Sequence, residues 1–92
     1  MDGIIEYDDK HRCIHRKFDY GYEVWYKYDD NDNIIYRKDS DNKERWFNNK
    51  GHITHIKNPT GYEAYYKYDE YCKIIDVIEY YNNKNFNCIL YI

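Results

Sequence analysis

The segment Glu23-Val24-Trp25-Tyr26-Lys27-Tyr28-Asp29 returns 40 residues later as Glu63-Ala64-Tyr65-Tyr66-Lys67-Tyr68-Asp69. A divergent copy, Glu44-Arg45-Trp46-Phe47-Asn48, lies between them. With the glutamate as first position, the units run 23–43, 44–62 and 63–83, with lengths of 21, 19 and 21 residues. Counting back gives a unit at 2–22, where Ile4-Ile5-Glu6-Tyr7-Asp8 stands in for Trp25–Asp29, and residues 84–92 close the array as a partial unit. A short period of this kind means one supersecondary element per repeat, each leaning on its neighbours for burial. The whole chain, 1–92, reads as a single repeat domain.

Two columns of turn residues support the alignment. Gly21, Asn42, Gly61 and Asn82 are equivalent, and all are residue types that tolerate a left-handed backbone. The second column holds His11, Asp32, Gly51 and Cys72. Between the turns lie short segments rich in Tyr, Trp and Ile, which is the hairpin signature. Strands are expected near 3–7, 12–18, 22–28, 34–38, 44–47, 53–57, 62–68, 74–81 and 87–92. Turns this short leave no room for crossovers, so the fold class is all-β, an antiparallel meander of about nine strands in an open twisted or curled sheet.

Composition agrees. Ala, Leu and Met occur once each, whereas 14 Tyr and two Trp supply large apolar area that needs only one polar partner at its tip. The net charge of −3 mixes 14 basic with 17 acidic residues, and no basic cluster suggests nucleic-acid binding. No stretch has the apolar length of a membrane span, and the N-terminus lacks the pattern of a secretory signal. Three cysteines, Cys13, Cys72 and Cys88, have no framework spacing, so reduced thiols and a cytoplasmic setting are expected.

The run Tyr28-Asp29-Asp30-Asn31-Asp32-Asn33-Ile34-Ile35 resembles the tyrosine–aspartate (YD, or Rhs-type) repeat, in which Tyr-Asp leads through an Asn/Gly turn into an apolar strand. The resemblance is clearest at 22–39 and 62–75 and recognisable at 44–57. The chain departs from the pattern where Asp32 and Cys72 replace the turn glycine. What the resemblance implies is hairpin geometry; the shells that such repeats build in large proteins need many more strands. A weaker, compositional likeness is to the aromatic hairpins of choline- and glucan-binding modules.

Alternation along a strand sorts each unit by face. Val24, Tyr26 and Tyr28, with Ala64, Tyr66 and Tyr68, should form the main core. Glu23, Trp25 and Lys27, with Glu63, Tyr65 and Lys67, share the other face. Trp25, Trp46 and Tyr65 fall in one column of the alignment, two strands apart, hence roughly 9–10 Å between neighbours. That column, with Glu23, Glu44, Glu63 and Lys27 flanking it, is the candidate binding surface. It reads either as a second core layer or as an aromatic rail for a partner. The apolar run Cys88-Ile89-Leu90-Tyr91-Ile92 would be hazardous as a bare edge, so a homodimer through a sheet edge or face is expected.

Chemistry is harder to find. His11, Cys13 and His15, with His52 and His55, are zinc-ligand types, but His15 and His55 fall in the column of Tyr36, and Cys13 in that of Ile34, Ile53 and Ile74. Ordinary sheet positions explain them, and no metal or other cofactor is expected. Asp29–Asn33 resembles the start of a calcium loop but has Ile34 at its sixth position and Ser40 at its twelfth. The hydroxyls Ser40, Thr54 and Thr60 have no His and acid at nucleophile spacing, and Asp8-Asp9 and Asp29-Asp30 lie in turns. Catalysis is not expected. The Asn-, Ile-, Lys- and Tyr-rich composition suggests an AT-rich coding genome. The expectation is therefore a protein-binding module, of the kind a phage or mobile element uses to inhibit a host defence enzyme, or an immunity protein. The alternatives are a carbohydrate-binding aromatic repeat and an orphan fragment of a larger repeat protein.

Overall fold

The computed structural model describes residues 3–82 and 84–86. Among them lie nine strands: β1 Ile4–Tyr7, β2 Cys13–Lys17, β3 Glu23–Tyr28, β4 Ile34–Asp39, β5 Glu44–Phe47, β6 Ile53–Lys57, β7 Tyr62–Tyr68, β8 Ile74–Tyr81 and β9 Lys84–Phe86. They form one antiparallel sheet in sequence order, an open meander with each strand beside its chain neighbour. Eight of the expected strands coincide with β1 to β8 within a residue or so. The expected strand 87–92, and with it the Cys88–Ile92 edge, lies outside the described residues.

The turns explain this order. Seven of them close with the same two backbone bonds, as in Asp29, whose N–H donates to Asn33 O (2.9 Å) and whose carbonyl accepts from Asp32 N–H (3.2 Å). This is the three-residue loop in which a type I turn ends in a left-handed residue. Both alignment columns supply that residue: His11, Asp32, Asn42 and Cys72 have φ of 63–66°, and Gly21, Gly51 and Gly61 have φ of 84–97°; Asn82, between β8 and β9, is also left-handed at φ 52°. At Asp8, Asp29, Asp39, Asn48 and Asp69, one side-chain oxygen accepts the N–H groups two and four residues ahead, at 2.8–3.1 Å. The Asp of the Tyr-Asp motif is thus a turn clasp. These bonds hold the Asp8 and Asp29 carboxyls below their ordinary range, chiefly through the N–H groups of Arg12 and Asn33 respectively.

The sheet is one layer thick. Its principal extents are 46 × 30 × 18 Å, and among the described residues only Val24 (3% exposed) and Ala64 (0%) are fully buried hydrophobic side chains. They occupy equivalent positions in units 23–43 and 63–83, each small side chain sunk between larger ones on its strand. The tyrosines expected as the main core are half-buried instead, because no second layer among the described residues covers them. They are held through their hydroxyls. Tyr28 donates to Cys13 O (2.6 Å) and Tyr68 to Ile53 O (2.5 Å), each reaching back to the preceding unit. Tyr22 donates to Asp39 (2.9 Å), and Tyr62, its equivalent, donates to Glu79. Asp39 is only 4% exposed. Burial works to raise its pKa, yet the N–H groups of Lys43 and Asp41 and the Tyr22 hydroxyl outweigh it and leave the carboxyl below its usual value.

Four register shifts, at Glu6/Tyr7, Lys27/Tyr28, Trp46/Phe47 and Lys67/Tyr68, recur at the same place in each unit. A bulge offsets the alternation on one strand by a residue. His15 therefore pairs with Glu6 and Cys13 with Tyr7, which are adjacent residues on opposite faces of β1. Alternation alone would have put His15 and Cys13 together; the bulge separates them.

Phe47 takes the place of Tyr28 and Tyr68 in the middle unit and has no hydroxyl to span to the preceding unit. Phe47→Tyr should add a hydroxyl that bonds the β4 backbone and stabilise the fold by about 1 kcal/mol. Urea unfolding would show it as a raised midpoint at unchanged slope; an unchanged or lowered midpoint would deny the clasp its stabilising role.

Candidate interaction surface

The face that carries Trp25 is organised in rows across the strands. Cα pairing gives one row as Lys27, Tyr36, Trp46, His55, Tyr65 and Ile78, on β3 to β8 in turn. The rings along it form a ladder. Tyr36 meets Trp46 edge-on at 5.1 Å between centroids, Trp46 stacks on His55 at 4.2 Å, and His55 stacks on Tyr65 at 4.1 Å. Tyr80 closes it edge-on to Tyr65 at 6.0 Å, and the Lys27 ammonium caps the other end, 5.1 Å from the Tyr36 centroid. Such pairs each add about 0.5–1.5 kcal/mol beyond the area they bury. Tyr65 remains 43% exposed.

Trp25 is not in this row. It pairs with Lys38 on β4 and His15 on β2, stacks on His15 at 4.9 Å and is 37% exposed. The single column expected for Trp25, Trp46 and Tyr65 is thus corrected, and unit length is the reason. In the 21-residue units the first strand pairs two residues out of step with the next unit, so that Trp25 leads through Lys38 to Glu44 rather than to Trp46. Unit 44–62 is two residues shorter, β5 ends sooner, and the offset vanishes: Trp46 leads through His55 directly to Tyr65.

One arrangement is used three times. His15, Tyr36 and His55 each stack on or abut the aromatic of the next unit, Trp25, Trp46 or Tyr65. Each also bonds that unit's leading glutamate: His15 Nε2 to Glu23 at 3.0 Å, Tyr36 Oη to Glu44, and His55 Nε2 to Glu63 at 2.6 Å. Glu44 and Glu63 therefore hold the ring ladder in position, and Glu23 holds the separate His15–Trp25 pair. Burial, then the Glu44 carboxylate, pushes the Tyr36 phenol up to about 12. The His55 bond holds the Glu63 carboxyl below its ordinary value, with burial opposing and the Tyr65 hydroxyl assisting. Sequence reasoning misses the rings at 15, 36 and 55 as part of the site, although their shared column is visible in the alignment.

Beside the ladder runs a row of charges. Lys38, Glu44, Lys57 and Glu63 pair in succession across β4 to β7. The zinc-ligand residue types do not converge: among the described residues no group of three or more His, Cys, Asp or Glu is placed to hold one ion. Asp29 turns its carboxylate onto its own loop. Among the described residues no helix is long and apolar enough to cross a membrane. No model of a known protein family matches the sequence, and no curated protein matches it.

His15 sits between two carboxylates, Glu6 on Nδ1 and Glu23 on Nε2. Both nitrogens must donate to satisfy both acceptors, so this geometry selects the imidazolium. The Glu6 bond is the main cause of its raised pKa; burial opposes, and Glu23 adds to the rise. The stabilisation is complete below the ordinary value of 6.5 and is lost as pH rises through the higher, folded-state value. His15→Gln should remove that pH dependence. The wild-type advantage in urea midpoint should shrink above about pH 6.5, by roughly 0.5–1 kcal/mol after solvent screening. A difference that stays constant or grows with pH would contradict the clamp.

Proposed function

We propose that this chain is a non-enzymatic protein-interaction module whose contact surface is the ladder face. The observation that carries the reading is the half-exposed ring row from Tyr36 to Tyr80 on a sheet that no other described residues cover with a second layer. Aromatic side chains held rigid by their neighbours give large contact area at low entropic cost, which is what interface hot spots use. The flanking Glu44, Lys57 and Glu63 supply a polar rim. A module of this size acts by covering a partner's surface, as an inhibitor from a phage or mobile element, or an immunity protein, would. The tyrosine–aspartate likeness supports a repeat that serves as a rigid platform.

Carbohydrate binding is the less favoured reading for a geometric reason. A sugar ring stacks on a free aromatic face, whereas Trp46, His55 and Tyr65 spend their faces on each other and present edges.

Affinity capture tests the proposal. Tagged wild type should retain a discrete protein from a bacterial lysate that Trp46→Ala/Tyr65→Ala loses while keeping its far-UV CD spectrum. Quenching of tryptophan fluorescence by soluble glycans, with no protein retained, would overturn it.

A further inference from the structure

We infer that in the free protein the ladder face is covered by a second copy of this chain, docked face to face about a two-fold axis that runs parallel to the strands over the seam between β5 and β6. The inference rests on the reading of this face as a contact surface and names what covers it.

Charge order is the first argument. Lys38, Glu44, Lys57 and Glu63 alternate in sign across four successive strands, with the β5–β6 seam at their midpoint. Rotation about an axis along that seam carries each strand onto the one equally far on the other side. Glu44 then faces the second copy's Lys57, and Lys38 faces its Glu63, so every charge meets its opposite. An even-numbered row of alternating sign is self-complementary in this way, which is what an isologous interface requires. The ladder row maps onto itself as well. Trp46 lies over the second copy's His55, and Tyr36 over its Tyr65, aromatic on aromatic. An axis across the strands instead sets the charge row over the ring row and pairs no charges.

Balance and size agree. Along the paired rows of this face the carboxylates from Glu6 to Asp76 are matched by the lysines from Lys17 to Lys67, so the net −3 of the chain lies elsewhere and does not oppose docking. A sheet of 46 × 30 Å offers about 1,400 Å² of face, more than the ~800 Å² per partner of a standard interface. A single layer with only Val24 and Ala64 fully buried among its described apolar side chains gains the second layer that all-β domains use to close a core. Aligned sheets pack with a twist of about 30°, and both rows lie on the central strands β4 to β7, where the two sheets come closest.

Analytical ultracentrifugation of charge-swap variants tests the pairing. Wild type should sediment as a dimer. Glu44→Lys and Lys57→Glu should each face like charge with like and raise the dimer dissociation constant at least ~10-fold. An equimolar mixture of the two single variants should recover a heterodimer, because the lysine introduced at position 44 of one chain then meets the glutamate introduced at position 57 of the other. The double variant Glu44→Lys/Lys57→Glu should dimerise by itself, and far-UV CD confirms that each variant is folded. A monomeric wild type, single variants that stay dimeric, or a mixture that stays monomeric would each overturn the inference. Wild type that is monomeric yet retains a lysate protein through Trp46 and Tyr65 would overturn self-pairing alone and leave the interaction reading standing.

Discussion

The whole sheet depends on a five-residue turn in which a carboxylate or amide oxygen clasps the N–H groups two and four residues ahead, and the fourth residue takes a left-handed backbone. That clasp, seen at Asp8, Asp29, Asp39, Asn48 and Asp69, forces the chain back beside itself after β1, β3, β4, β5 and β7, and the turns at Phe18 and Asn58 close with the same backbone bonds without it. With no longer connection available, the only topology is a meander. Register then follows from strand length alone, since each turn consumes the same number of residues. A change of two residues in one unit therefore moves whole rows of side chains relative to each other without altering the fold.

Because no second layer among the described residues covers the sheet, its cohesion comes from cross-strand contacts more than from a core. One face is tied by phenol hydroxyls: Tyr28 and Tyr68 reach back to the previous unit, while Tyr22 and Tyr62 reach forward to Asp39 and Glu79. The other is tied by the ring ladder and the glutamates beneath it. Each contact is worth about 0.5–1.5 kcal/mol, so the sum is modest and neighbouring units must support each other. Arg12 shows the same economy across turns. Its guanidinium bonds Asp8 in its own turn and Asp29 O and Asp32 in the next unit's, and lies 4.8 Å from the Tyr28 ring centroid.

Strands β1 to β8 and both columns of left-handed residues were legible from the repeat, because turn chemistry is local and recurs with the period; β9, at Lys84–Phe86, was not. Even the unexpected types in those columns, His11 and Cys72, adopt the left-handed conformation of their equivalents Asp32 and Gly51. The ring ladder was not legible. Aligning Trp25, Trp46 and Tyr65 by position in the unit ignored the two-residue offset that 21-residue units carry and the 19-residue unit cancels. Sorting faces by simple alternation missed the bulge that separates Cys13 from His15. Both failures concern how one strand is registered on the next, which a unit-by-unit reading does not contain. The half-buried tyrosines differ for another reason: alternation says which face they share, but not whether anything lies on it.

The functional account rests on the shortened unit bringing Trp46, His55 and Tyr65 into one stack. The His55 ring protons report on this directly, since they sit between two aromatic faces at 4.2 and 4.1 Å. In a proton NMR spectrum they should resonate far upfield of an exposed histidine, and move back toward the ordinary position in Trp46→Ala. Ring protons at the ordinary position in the wild type would mean that the ladder does not exist, and the contact surface would go with it.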